Sequence, residues 1–156
     1  MSFANLIRRF KEGFSSQPQQ EPHHPPLQLA TAAVLLEIAH ADGDFTPTED
    51  GDVAGYLCNA FALEDASARE LMRAADEVRT RTIDHFGLTN FIRQNTSLGE
   101  RIDIVKMMWR IVYADDRLTD YENYLVRKLA DLLGLEHHVM IDAKVAVLDE
   151  RRNASS

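Results

Sequence analysis

One pattern occurs twice in this chain at a fixed distance, and it limits the folds available more than any other feature. Residues 38–49 read Ile38-Ala39-His40-Ala41-Asp42-Gly43-Asp44-Phe45-Thr46-Pro47-Thr48-Glu49. Residues 111–122 read Ile111-Val112-Tyr113-Ala114-Asp115-Asp116-Arg117-Leu118-Thr119-Asp120-Tyr121-Glu122. An offset of 73, from Asp42 to Asp115, sets Ile on Ile, Ala41 on Ala114, Phe45 on Leu118, Thr46 on Thr119 and Glu49 on Glu122. Self-similarity at one offset marks an internal duplication.

Each copy reads as a helix, a tight connection and a second helix. Gly43 supplies the left-handed residue that closes a helix at low cost, and Asp116 stands at that place in the second copy. Thr46 and Thr119 are N-caps, with Glu49 and Glu122 three residues on completing capping boxes. Pro47 falls at the first helical position, where a missing N–H does no harm.

The helices leading into the turns, 27–41 and 98–114, are apolar on nearly every side and belong in the interior. Those that follow are amphipathic, with Val53, Tyr56, Leu57, Ala60 and Phe61 inward in one and Leu125, Val126, Leu129, Leu132 and Leu133 in the other. Both close on similar endings, Phe61-Ala-Leu-Glu and Leu133-Gly-Leu-Glu, after a one-residue slip. A third helix follows each. Asp65 is expected to cap 66–83, and 137–149 to turn Val139, Ile141, Val145 and Leu148 inward. Between the halves, Thr89 is expected to cap a short helix carrying Phe91 and Ile92. No stretch alternates with period two, so the fold is all-α, with two three-helix repeats around two central helices.

Before the body, residues 1–14 form a basic amphipathic helix with Phe3, Leu6, Ile7, Phe10 and Phe14 at helical spacing among Arg8, Arg9 and Lys11. Docking on the body or on a second copy is the favoured reading, ahead of a weak peripheral membrane contact through 3–14. Residues 15–27 read as a linker, because Pro18, Pro22, Pro25 and Pro26 oppose a helix and the polar remainder cannot form a core. The domain proper is expected over 28–150.

Net charge is −8 and concentrated in the body, which argues against nucleic acid and favours a cation, a basic surface or other protein partners. The N-terminus lacks the apolar segment of a secretory signal, no run is long enough to span a membrane, and Cys58 is the single cysteine. The expected compartment is the cytoplasm, with the inner-membrane surface as an alternative.

No nucleophile–base spacing, phosphate loop or zinc-enzyme motif is present. The chemistry left is acidic: Asp42, Asp44 and Glu49 in one copy, Asp115, Asp116 and Glu122 in the other. Two readings stand. The acids finish turns and caps, or, if the turns share a face, their oxygens converge on a hard divalent cation. An EF-hand is excluded, since Gly43 follows Asp42 directly and Glu49 is the eighth residue of the pattern rather than the twelfth. His40 reads as part of the hairpin packing rather than a ligand.

The paired Ala-Asp-(Gly/Asp) turns with Thr-x-x-Glu, together with Leu125-Val-Arg-Lys-Leu-Ala-Asp-Leu-Leu-Gly-Leu135, resemble the TerB-like family, named for a bacterial tellurite-resistance protein and related to the N-terminal domain of a membrane-anchored J-domain co-chaperone. The resemblance covers about 28–148. It implies a multihelical domain with two pseudo-symmetric repeats, a stress association rather than a catalysed reaction, and a metal site falling on Asp42, Glu49, Asp115 and Glu122. From it, a non-enzymatic binding or scaffold module is expected; a membrane-associated scaffold and, behind it, a metal-dependent enzyme are the alternatives.

Overall fold

The computed structural model describes residues 25–41, 47–81, 85–114 and 120–154, with backbone alone at 47–49. Those residues form α1 (Pro26–Ala39), α2 (Pro47–Phe61), α3 (Asp65–Arg81), α4 (His85–Asn95), α5 (Leu98–Ala114), α6 (Asp120–Leu132) and α7 (His137–Ala154), with no strand among them.

The interior is organised by α1. Pro26 occupies its first turn, and the Leu29 N–H donates to the Pro25 carbonyl (3.1 Å). The helix therefore begins inside the stretch read as linker, because a proline is tolerated where no helical N–H is required. Leu29 to Leu36, Ile38 and Ala39 are all buried. Glu37 escapes the core through an ion pair with Arg79 of α3 (3.7 Å), and His85 Nε2 of α4 lies 3.6 Å from its carboxylate. The partner helix α5 buries Ile104, Val105, Met107, Met108, Trp109, Ile111 and Val112. Its Trp109 is fully enclosed, with Tyr113 stacked 6.1 Å away and the Lys144 ammonium 5.2 Å over the ring. Ser97 and Glu100 cap α5 reciprocally: the Glu100 N–H donates to Ser97 Oγ (3.2 Å), and the Ser97 N–H to Glu100 Oε1 (3.1 Å). The Ser-x-x-Glu spacing of this capping box is a local motif of the sequence.

The packing repeats as the sequence does. Helix α1 packs on α2 and α3 as α5 packs on α6 and α7, and α2 meets α3 as α6 meets α7. Across the halves, α2 touches α5 and α6 touches α1, while α1 and α5 touch each other. Exchanging the halves leaves this set unchanged, as a pseudo-twofold axis requires. Helix α4 stands outside the exchange and packs mainly on α1 and α6.

The ends of α2 and α6 share a left-handed residue and a closing backbone bond. Ala62 (φ 54°) and Gly134 (φ 83°) are both left-handed. The Leu63 N–H donates to the Cys58 carbonyl at 3.1 Å, and the Leu135 N–H to the Ala130 carbonyl at 3.1 Å. Each is the six-to-one bond of a Schellman end, which satisfies a carbonyl the helix leaves unpaired.

Three local expectations are corrected. Thr89 does not cap α4; it lies buried within it, its hydroxyl donating to the carbonyls of His85 (2.9 Å) and Phe86 (3.2 Å), because the helix starts four residues earlier. Asp65 is inside α3 rather than before it, and its carboxylate accepts from Arg69 Nε (3.0 Å). In α7 Met140, Ala143 and Val147 are buried and Val139 and Ile141 pack partly buried against the core, while Val145 is exposed. Two interleaved apolar stripes run along that helix, which packs mainly on α5. Residues 1–14 and most of the 15–27 stretch lie outside the described residues.

Candidate functional site

Of the six acids singled out in the turns, Asp42, Asp44, Asp115 and Asp116 lie outside the described residues. Glu49 belongs to the first turn of α2, its side chain undescribed, and Glu122 to the first turn of α6. Helix α2 starts directly after Thr46 and α6 directly after Thr119, where the capping reading places both starts. Glu122 is 5% exposed. A carboxylate so far from water needs hydrogen bonds or a cation around it, and the N-terminal end of a helix favours its charge. Among the described residues no three His, Cys, Asp or Glu side chains cluster as metal ligands.

His40 caps the end of α1. Its Nδ1 lies 2.9 Å from the Leu36 carbonyl, an acceptor only, so Nδ1 carries the proton in that bond. Together with the His40 N–H, which also donates to Leu36 O (2.9 Å), the ring closes the helix that leads into the first acidic turn.

Two clefts open among the described residues. The first, about 470 Å³, lies between α1, α2 and α5; apolar Leu27, Phe61, Ile104 and Met107 share its lining with Tyr56, Glu100, Asp103 and Arg110. Arg110 is clasped by Glu150 of α7 through two bonds, Nε to Oε2 (3.1 Å) and Nη2 to Oε1 (2.9 Å). Those bonds hold the Glu150 carboxyl below its usual range and raise the guanidinium further. Burial, and then the nearby Asp52 charge, raise the Tyr56 phenol, so it remains a neutral donor. Thr31, 1% exposed, also lines this cleft, and its hydroxyl has no hydrogen-bond partner among the described residues. The second cleft, about 610 Å³, runs along α6 and α7 with Tyr124, Arg127, Lys128 and His137 in its lining. Neither cleft was foreseen; only helix-to-helix placement creates them, and no local motif marks either.

The described residues form a duplicated all-helical module with two open clefts. The chain belongs to the family described as tellurite resistance protein TerB, whose model matches residues 28–145. No curated protein and no solved structure matches it. No helix among the described residues is long and apolar enough to cross a membrane.

Proposed function

We propose that the chain is a non-enzymatic binding module of a bacterial stress response, holding a divalent cation between its duplicated acidic turns. The ligands are Asp42, Glu49, Asp115 and Glu122, with Asp44 and Asp116 alongside. One observation carries the reading: Glu122, the member whose side chain is described, is withdrawn from water at the head of α6. The twofold exchange assigns the same role to Glu49 at the head of α2. Oxygen-only ligands suit a hard cation such as Ca²⁺, Mg²⁺ or Mn²⁺.

Melting the full chain in EDTA and then in an excess of each cation tests this. A cation at 100 times its dissociation constant adds about 2.7 kcal/mol, which raises the melting midpoint by roughly 5–11 °C in a chain of this size. The shift should vanish in the Asp42→Asn, Asp115→Asn double variant. Identical wild-type melts in EDTA and in every cation would refute the reading.

A further inference from the structure

The twofold exchange pairs every described helix except α4, and following α4 through it locates a missing element. Helix α4 directly precedes α5 in the chain and packs on α1 and α6. Its counterpart would directly precede α1 and pack on α5 and α2. That place is the first cleft, walled by Tyr56, Ala60 and Phe61 of α2 and by Ile104 and Met107 of α5. The cleft also straddles the axis: Leu27 and Thr31 line it together with Glu100 and Ile104, their own equivalents at the offset of 73.

An occupant is written at the start of the chain. Residues 2–10, Ser-Phe-Ala-Asn-Leu-Ile-Arg-Arg-Phe, match 87–95 of α4, Gly-Leu-Thr-Asn-Phe-Ile-Arg-Gln-Asn. Asn5 falls on Asn90, Ile7 on Ile92 and Arg8 on Arg93, with Phe3 and Leu6 on Leu88 and Phe91. The offset is 85 here rather than 73, and the Pro- and Gln-rich stretch 15–26 accounts for the excess. In α4 the matching Leu88 and Ile92 are fully buried and Phe91 is half-buried.

Arg93 also has a marked position. A Cβ on Gly134 would come 2.8 Å from its Nε, so its guanidinium lies against the left-handed end of α6. The equivalent end of α2 is Ala62, next to Phe61 on the cleft wall. An arginine there meets the negative end of a helix. Glu100 and Asp103 give the opposite side of the cleft a negative charge, opposite in sign to the remaining Arg9 and Lys11 of the N-terminal segment.

We propose that residues 2–10 dock in the cleft between α2 and α5 of their own chain, as the counterpart of α4, so that the duplicated unit has four helices. The tether of residues 15–25, which can extend to about 36–40 Å, delivers the segment to the start of α1, where Leu27 lines the cleft.

Thiol crosslinking of the full chain tests this. In a Cys58→Ser background, Arg8→Cys is combined with Ala60→Cys on the cleft wall or with Lys128→Cys on exposed α6, and a short bis-maleimide is added. Monomeric crosslink should form roughly tenfold faster with position 60 than with 128, as a seated segment raises the local concentration. Separately, Ile7→Asp in the otherwise native chain should lower the melting midpoint by roughly 3–10 °C, since it removes a buried side chain. Equal crosslinking rates at the two positions, or a midpoint unmoved by Ile7→Asp, would overturn the proposal. Covalent dimer as the main product would also overturn it, giving the segment to a second copy.

Discussion

Replacing Ala62 with glycine should stabilise the protein, and the size of the gain follows from the two matching helix ends. Ala62 is held at φ 54°, where an L side chain presses on its own carbonyl. That conformation costs about 1–2 kcal/mol relative to the right-handed one, and glycine avoids the cost. Glycine also gives back about 0.4–1 kcal/mol through the greater freedom of the unfolded chain. Ala62 is exposed, so its methyl takes little packing with it. The net gain is about 0.5–1 kcal/mol, or roughly 1–4 °C in the midpoint of a domain near this size. The reverse substitution, Gly134→Ala, imposes the same strain at φ 83° and sets a Cβ 2.8 Å from Arg93 Nε, although that flexible side chain can shift. Less the same unfolded-state term, it should cost about 0.5–1 kcal/mol, lowering the midpoint by roughly 1–4 °C. Reversible thermal melts followed by the fluorescence of Trp109, the single tryptophan, read both changes. An Ala62→Gly protein that melts at or below the wild-type temperature would refute the argument from backbone strain.

Ser97→Ala removes the hydroxyl that receives the Glu100 N–H and should cost about 1 kcal/mol in urea unfolding, while Ser67→Ala on exposed α3 should serve as a near-neutral control. The Arg110–Glu150 pair is partly exposed, and a double-mutant cycle should give a coupling of about 0.2–1 kcal/mol that weakens with salt. Because the Glu150 carboxyl is held below its ordinary 4.5, the coupling should be complete above that pH and fade as pH falls through the lowered folded value; a coupling that strengthens in acid would contradict the assignment.

The two central helices were readable because they are apolar around their whole circumference, which needs no tertiary information to interpret. The starts of α2 and α6 were readable because Thr-x-x-Glu acts within four residues. Thr89 misled for the complementary reason: the same hydroxyl that caps a helix also bonds a carbonyl one turn back, and burial of Leu88 and Ile92 decided for the second. Helix α7 carries two stripes that periodicity alone cannot rank, and Val145 on one of them is exposed. For the acidic corners, the sequence named the residues; of their side chains, Glu122 alone is described, and its burial is a tertiary fact that no motif announces. The clefts depend on helices distant in sequence meeting at an angle, so local reading passes over them.

Helix α1 draws its surroundings from both copies: α2 and α3 from its own half, α5 and α6 from the other, and α4 from the joint between them. A single ancestral copy would therefore have left this rod half naked, and needed a twin to clothe it. Severing the chain at the joint should consequently yield fragments that lack ordered structure apart and regain it only when mixed.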